Sequence, residues 1–236
     1  MSEWKAKRFW KDSTVVPAEG GFTVHLDGRP VRTPAKRPLV LPTAALAEEI
    51  AAEWQAQEDQ IDPLSMPFTR SANAAIDKVA VQKDEVAEMI AAYGDSDLLC
   101  YRADSPAELV ERQTAAWDPY LDWADSDLSA RLVPVVGVVH QPQNPAAVAA
   151  LRAEVMAQDN FALTALHDLV SISGSLVLGL AAQRGVAPPE ELWTLSRLDE
   201  DWQIEQWGED DEATKLAETK LRAFLHAARL YQLTRA

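Results

Sequence analysis

Apolar and polar positions alternate with a period of two near the start of the chain. Phe22, Val24 and Leu26 are separated by polar residues, a pattern that predicts a β-strand with one buried face. The Asp27-Gly28 pair that follows is typical of a two-residue hairpin turn. Residues 9–41 are therefore predicted to form strands and turns.

Prolines follow the predicted turn at positions 30, 34, 38 and 42. Proline has no amide proton to donate to a ladder of hydrogen bonds, so it is confined to the edges of sheets. The apolar residues 39–41 are therefore predicted to form a short edge strand.

The period changes after Pro42. Leu46, Ile50 and Trp54 recur every four residues, which predicts an amphipathic helix capped by Thr43. A second start signal is Ser105-Pro106-Ala107-Glu108, which joins a capping hydroxyl, a first-turn proline and a capping-box glutamate. Further helices are predicted at about 70–93, 105–125, from 145, and at 160–184, 188–207 and 210–233, with a short strand within 132–139.

This order of elements predicts an α+β fold. Strands are confined to the first part of the chain, apart from the short segment near residue 135, and helical periods dominate the rest. We predict a small N-terminal α+β domain over residues 1–100 and a multihelical C-terminal domain over residues 101–236.

The charge is large and unevenly distributed. The 236 residues carry a formal charge of −15, yet residues 1–40 hold eight Lys or Arg against four acids, a balance of +4. The remainder therefore carries −15 − 4 = −19. Such an acidic body is repelled by phosphate backbones and anionic lipid, which argues against nucleic acid and membrane surfaces as main partners. A basic protein surface is a better electrostatic match.

Cys100 is the single cysteine, so no internal disulfide can form, and a reducing compartment is expected. The N-terminus reads neither as a signal peptide nor as a transit peptide, and no apolar run has the length of a membrane span. We expect a location in the bacterial cytoplasm, and a mitochondrial one for eukaryotic relatives.

No catalytic or metal-binding motif stands out. The four histidines are dispersed, and none forms a His-x-x-x-His pair or lies beside the cysteine in sequence. The segment from Gly174 to Gly179 has half of a phosphate-loop spacing, but Leu180-Ala181 replaces the Lys-Ser/Thr that phosphate and magnesium require. Its small residues are better explained by close helix packing. We predict no catalytic residues, no metal, no cofactor and no small-molecule substrate.

One acidic segment is unusual. Residues 199–214 hold eight acids and no Lys or Arg, with Trp202 and Trp207 among them. Acids alone often form a solvated face, and tryptophan is often part of a core. Acids interleaved with large aromatic residues also describe a binding surface for a basic partner. Asp199, Trp202, Gln203 and Gln206 share one helical face, on which we predict this surface.

Eight segments of the chain form a pattern that can be compared with known families: residues 26–34, 41–43, 50–54, 66–77, 97–102, 113–119, 196–203 and 207–208. In this order and at these spacings they resemble the family of assembly chaperones for the alpha subunit of the mitochondrial ATP synthase. The resemblance covers most of the chain.

This resemblance implies a two-domain fold, no enzyme activity and no cofactor. It implies that the partner is the free alpha subunit of an F-type ATP synthase, whose interface for the beta subunit is shielded from aggregation. Asp199 and Glu200 are carried over from the family's Leu-acid-x-x-aromatic-Gln segment, which often has Glu at the first position and Tyr or Phe where Trp202 stands. The predicted partner-binding residues are Asp199, Glu200, Trp202, Gln203, Gln206, Trp207 and Glu209.

Two other functions are compatible with the residues alone. A small hydrolase or lyase would combine buried carboxylates with His167 or His140, and would show a deep pocket with perturbed acids. A general peptide-binding module would use the edge of the N-terminal sheet and bind many unrelated clients.

Overall fold

The computed structural model describes residues 7–236 and confirms an α+β fold. A three-stranded antiparallel sheet is formed in the order β1 (Ser13–Ala18), β2 (Gly21–Leu26) and β3 (Arg29–Pro30). Asp27 and Gly28 connect β2 to β3, and both have positive φ, as the predicted hairpin turn requires.

The predicted edge strand at 39–41 is wrong. Phe22 and Leu41 form one isolated bridge, and Arg32 and Pro38 form another. The main chain of Phe22 and Leu41 exchanges two hydrogen bonds, of 2.9 and 2.8 Å. Because prolines at 38 and 42 flank this segment and cannot donate, pairing ends after a single residue.

Helices make up most of the remaining elements of the described chain. The hydroxyl of Thr43 accepts a hydrogen bond from the amide of Leu46 and caps the first helix, as predicted. The helices are α1 (Ala44–Gln55), α2 (Pro67–Ala74), α3 (Lys83–Ala91), α4 (Ala107–Leu128), α5 (Pro145–Met156), α6 (Asn160–Ser173), α7 (Leu176–Arg184), α8 (Pro189–Ser196), α9 (Leu198–Trp207) and α10 (Asp211–Leu233). A π-helical segment, Ala75–Val79, follows α2, and short 3-10 turns occupy Pro63–Ser65, Ala92–Asp95 and Leu98–Cys100.

Three details of the helix predictions are corrected. Ser105 does not cap α4; Pro106 is the cap residue, without a side-chain hydrogen bond, and the Ser105-Pro106 peptide is cis. The segment 160–184 is two helices, since Gly174 takes a positive φ and Ser175 caps the second one. The segment 188–207 is likewise divided, at Arg197.

The segment 132–139 contributes only a two-residue strand. This strand, β5 (Val135–Val136), pairs in parallel with β4 (Tyr101–Arg102). The amide of Gly137 continues the ladder by donating to the carbonyl of Arg102 at 2.8 Å. Pro134 on one side and the positive φ of Gly137 on the other limit the strand to this length.

The chain divides into two compact units whose membership does not follow the chain order. Unit 1 comprises residues 1–83, 160–165 and 229–236, and unit 2 comprises residues 84–159 and 166–228. The sequence predicted two continuous domains divided at residue 100. The first stretch of unit 1 instead ends at residue 83, and unit 1 also includes the start of α6 and the end of α10. Sequence periodicity marks helix faces, but it does not reveal which distant helix completes a core.

Unit 1 is built around one apolar cluster. Trp10 and residues of β2 pack with the buried face of α1, including Leu46 and Ile50, and Phe161 and Leu230 complete the cluster. Unit 2 buries Trp117, Leu121, Leu166, Leu169 and Leu178. Each unit thus has its own apolar interior.

Within unit 2, α6 and α7 pack closely at Gly179. A Cβ atom at this position would lie 2.7 Å from Cγ2 of Val170 and 3.2 Å from Cδ1 of Leu166. The expectation that small residues in this segment serve helix packing is therefore confirmed at Gly179.

Candidate partner-binding site

The acidic segment forms α9 and the start of α10, and α9 packs against α4 within unit 2. Arg112 of α4 donates two hydrogen bonds to the carboxylate of Glu205, at 2.7 and 2.8 Å. This contact lowers the pKa of Glu205, because the guanidinium stabilises the charged carboxylate. The Arg112 guanidinium also lies 4.7 Å from the ring centroid of Trp202, in a cation–π contact.

Gln113, the next residue of α4, holds a second member of the predicted site. Its side chain is buried, with 2% exposed. Its Nε2 donates to Oδ1 of Asp199 at 2.7 Å, and its Oε1 accepts from the amide of Ala103 at 2.8 Å. Asp199 is therefore tied to the interior of unit 2 through a buried amide.

These contacts divide the seven predicted residues into two groups. Asp199 and Trp202 face α4, and only 7% of Trp202 is exposed, so Trp202 is a packing residue. Trp207, in contrast, is 80% exposed at the C-terminus of α9. The residues directed to solvent are Glu200, Gln203, Gln206, Trp207 and Glu209, and we call this set the Trp207 surface.

The Trp207 surface is strongly acidic. Glu200 pairs with Arg197 at 3.3 Å, and Asp201 lies 4.0 Å from the same guanidinium. Burial raises the pKa of Asp201, and the charge of Arg197 opposes this rise. Beyond Gly208, the residues Glu209 to Glu212 are all acids and all exposed. A basic partner would meet both a flat aromatic ring and several carboxylates here.

The residues behind the Trp207 surface come from segments that carry the family resemblance. Arg102 donates to Oδ1 of Asp118 at 2.8 Å and to the carbonyl of Leu99 at 2.9 Å. Trp117 is fully buried, and its indole donates to the carbonyl of Leu195 at 2.9 Å. Together with the bond from Gln113 to Asp199, these bonds connect the segments 97–102, 113–119 and 195–203, which are distant in sequence.

Asp97 anchors these connected segments from inside unit 2. It is fully buried, and its carboxylate accepts hydrogen bonds from the amides of Leu99 and Val177, at 3.1 and 3.0 Å. Burial raises the pKa of Asp97 to about 6, although its hydrogen bonds act in the opposite direction. Its partners are main-chain amides and the hydroxyl of Ser175, so Asp97 is a structural cap.

An exposed apolar segment in unit 2 was missed as a binding candidate. Val133, Val136, Val138 and Val139 are all exposed. The start of this segment is fixed by Gln143. The side chain of Gln143 donates to the carbonyl of Val133 at 2.9 Å and accepts from the amide of Val133 at 2.8 Å. A valine run without polar residues was visible in the sequence, but its β-branched composition was interpreted only as a short strand.

The histidines considered for a hydrolase lie in other settings. His167 is partly buried and contacts Asp168 at 2.9 Å, which raises the pKa of the imidazole. His140 contacts Asp95 at 3.3 Å and the hydroxyl of Tyr101 at 3.3 Å on the surface. Among residues 7–236, no group of three or more His, Cys, Asp or Glu side chains is placed to hold a metal ion. In the same range, no helix is long and apolar enough to cross a bilayer.

An exposed tryptophan among carboxylates is an arrangement typical of surfaces that bind other proteins. Comparison with known proteins identifies the family. The profile of the ATP12 chaperone protein family matches residues 7–125, and the chain belongs to this family.

Solved structures of bacterial proteins agree closely with this chain. Atp12 from Paracoccus denitrificans is 53% identical, with a TM-score of 0.96, and the match covers 99% of this chain and 100% of that one. A variant of the same protein with one aspartate replaced by lysine gives 52% identity and the same TM-score of 0.96. The Atu1473 protein of Agrobacterium tumefaciens is 47% identical, with a TM-score of 0.87, over 94% of this chain and 85% of that one.

A curated relative is more distant. Protein atp12, mitochondrial, of Schizosaccharomyces pombe is 23% identical over 228 residues, which are 92% of this chain and 78% of the relative. Family membership confirms the resemblance on which the sequence prediction rested. The protein is an assembly chaperone with a role in ATP synthase assembly, and it is not an enzyme.

Proposed function

We propose that the protein binds the unassembled alpha subunit of an F-type ATP synthase and covers the surface that the beta subunit later occupies. The observation that carries this proposal is the Trp207 surface, where an indole ring is 80% exposed on the helix that also carries Glu200, two residues before the exposed Glu209. Tryptophan is enriched among the residues that dominate the binding energy of protein interfaces.

The physical requirements of such a chaperone agree with this surface. An unpaired ring subunit exposes an interface that, if obligate, has an area of about 2,000 Å² or more and aggregates through its apolar parts. A holding protein must also release its client. Binding through one aromatic anchor and several carboxylates is tunable, because electrostatic contacts favour fast association without maximal apolar burial.

The valine segment offers a second apolar contact in the same unit. This segment is residues 133–139, and four of its five valines are exposed. The hydrogen bonds of Gln143 to the main chain of Val133 hold the start of the segment in place. A client with an apolar interface would gain contact area there without ordering a flexible loop.

We place this activity in the bacterial cytoplasm, since the structural relatives come from two bacteria. The curated relative from Schizosaccharomyces pombe is mitochondrial by its name. The alpha subunit is free before assembly in either compartment.

In the test, the alpha subunit from the same organism is diluted from denaturant in the presence of one equivalent of the protein. Light scattering measures how much of the alpha subunit aggregates. Trp207→Ala combined with Glu209→Lys should abolish most of the protection and weaken binding by about tenfold or more. The matched control is Leu64→Ala with Glu58→Lys in unit 1, because Leu64 is 79% exposed and Glu58 is also exposed.

Equal loss of protection in both double variants would contradict the proposed site. Equal protection of unrelated aggregating proteins by the wild type would contradict the proposed client and favour a general peptide-binding module. Affinity isolation from cells provides an independent check, and the alpha subunit should be the most abundant protein recovered.

A further inference from the structure

Basic residues lie in and around one turn of unit 1, at residues 32–37, and next to the segment at residues 76–77 that contacts this turn. Arg29, Arg32, Lys36, Arg37 and Lys78 are all exposed. Arg32, Lys36 and Arg37 belong to the turn at residues 32–37, and Arg29 comes three residues before it. The guanidinium of Arg37 donates to the carbonyl of Ile76 at 2.8 Å, and Lys78 follows two residues later. We call these five cations the basic patch.

The basic patch collects cations that form no ion pair within residues 7–236. The chain has 37 acidic and 22 basic residues, so carboxylates are in excess. Seven other arginines form ion pairs with them: Arg102, Arg112, Arg131, Arg152, Arg184, Arg197 and Arg229. Within residues 7–236, no cation of the basic patch forms an ion pair.

Two of these cations are held in place without being neutralised. Arg32 donates to the carbonyl of Lys36 at 3.0 Å, and Arg37 donates to the carbonyl of Ile76. A carbonyl oxygen orients a guanidinium but carries no net charge. The full charge of each arginine therefore remains available to a ligand.

The turn beneath the patch is fixed by its own hydrogen bonds. The amide of Lys36 donates to the carbonyl of Thr33 at 2.8 Å, and the amide of Arg37 donates to the hydroxyl of Thr33 at 3.1 Å. Asp77 accepts from the Thr33 hydroxyl at 2.7 Å and from the amide of Ala35 at 3.0 Å. The carboxylate of Asp77 is thus engaged by the turn. Asp27 also interacts electrostatically with Arg29, so the five cations of the patch exceed these two carboxylates.

We infer that the basic patch binds a short carboxylate-rich segment of a partner protein, a contact additional to the proposed client site in unit 2. Carboxylates match the guanidinium groups of Arg29, Arg32 and Arg37 in charge and geometry. The segment must be short, because the chain outside residues 1–40 carries −19 and repels an extended polyanion. Screening over about 8 Å at physiological salt lets a local patch act despite that repulsion.

The probe is a rhodamine-labelled decapeptide of alternating Glu and Gly, with a Lys-Gly decapeptide as the opposite-charge comparison. Fluorescence anisotropy with the full chain should show saturable binding of the acidic peptide, weakened severalfold when salt is raised from about 50 to about 300 mM. The basic peptide should not compete for the same patch.

Arg29→Glu combined with Lys36→Glu should weaken binding of the acidic peptide by about tenfold or more. These two side chains make no hydrogen bond or ion pair within residues 7–236, so the change should not disturb the fold. The matched control is Lys215→Glu with Lys220→Glu, two exposed lysines of α10, which changes the formal charge equally. The control should weaken binding less than twofold.

Three outcomes would overturn the inference. The acidic peptide does not bind saturably; the two double variants weaken its binding equally; or a ten-nucleotide thymidine strand or phosphatidylserine vesicles bind the patch more tightly than the peptide. Circular dichroism melting of each variant confirms that the binding is compared between folded proteins. Loss of alpha-subunit protection in the Trp207 variant, with retained peptide binding, separates this site from the proposed client site.

Discussion

Replacing Asp199 by alanine should destabilise unit 2, although Asp199 was predicted from the sequence to contact a partner. The carboxylate accepts from Nε2 of Gln113 at 2.7 Å, and Gln113 is 2% exposed. Removing the acceptor leaves a buried amide without a partner, which costs about 1–3 kcal/mol. Asp199 also lies in the first turn of α9, where a carboxylate contributes about 0.3–1 kcal/mol.

We therefore expect Asp199→Ala to lower the free energy of unfolding by about 2–3 kcal/mol. Urea unfolding at pH 7, followed by circular dichroism, measures this change. The control is Glu200→Ala, the exposed neighbour in the same turn, whose ion pair with Arg197 is worth about 0–1 kcal/mol. Glu200→Ala should change stability by less than half as much.

A double-mutant cycle isolates the contact between the two side chains. Gln113→Leu and Asp199→Ala should show a coupling energy of about 1–2 kcal/mol, since each removes the same hydrogen bond. A coupling near zero, or equal stability of Asp199→Ala and Glu200→Ala, would refute this explanation. If Asp199 stabilises unit 2 through Gln113, a charge reversal at Asp199 should lower stability as well as alter any contact with a client. Loss of client binding in that variant would then not by itself identify Asp199 as a contact residue.

Three further predictions follow from burial, steric fit and ionisation. Trp202→Ala should lower the free energy of unfolding by about 3–5 kcal/mol, whereas Trp207→Ala should change it by less than about 0.5 kcal/mol, as urea unfolding will measure. Gly179→Ala should cost about 1–3 kcal/mol, because its Cβ would meet Val170 at 2.7 Å, and thermal unfolding should show a lower midpoint. Burial raises the pKa of Asp97 from 3.8 to about 6 in the folded protein, so the folded protein binds this proton more tightly than the unfolded chain does. The resulting stabilisation is fully present below pH 3.8 and is lost as the pH rises through about 6. Urea unfolding between pH 4 and 7 should show this fall in the wild type relative to Asp97→Asn.

Each of these predictions has an opposing outcome. Equal destabilisation by the two tryptophan variants would place Trp207 in a packed environment. An unchanged melting temperature in Gly179→Ala would show that α6 and α7 separate without cost. A stability difference between wild type and Asp97→Asn that is constant with pH would show that this carboxyl keeps its ordinary pKa when folded.

Local sequence signals determined much of the secondary structure. The hairpin at Asp27-Gly28 was predicted correctly, because positive φ at both residues is a property of the dipeptide itself. The cap at Thr43 was predicted from equally local information, since its hydroxyl bonds an amide three residues away. The breaks at Gly174 and Arg197, within the predicted helices 160–184 and 188–207, were not predicted because the helical period continues across them.

The sequence by itself also determined that an acidic helix with two tryptophans lies near the C-terminus, and the resemblance identified the family. Only the tertiary structure decided which tryptophan is available. Helical period places residues on faces, but α4 selects the face that is buried, through Arg112 and Gln113. Trp202 therefore became part of the packing and Trp207 remained exposed, because burial depends on a neighbour that is distant in the chain.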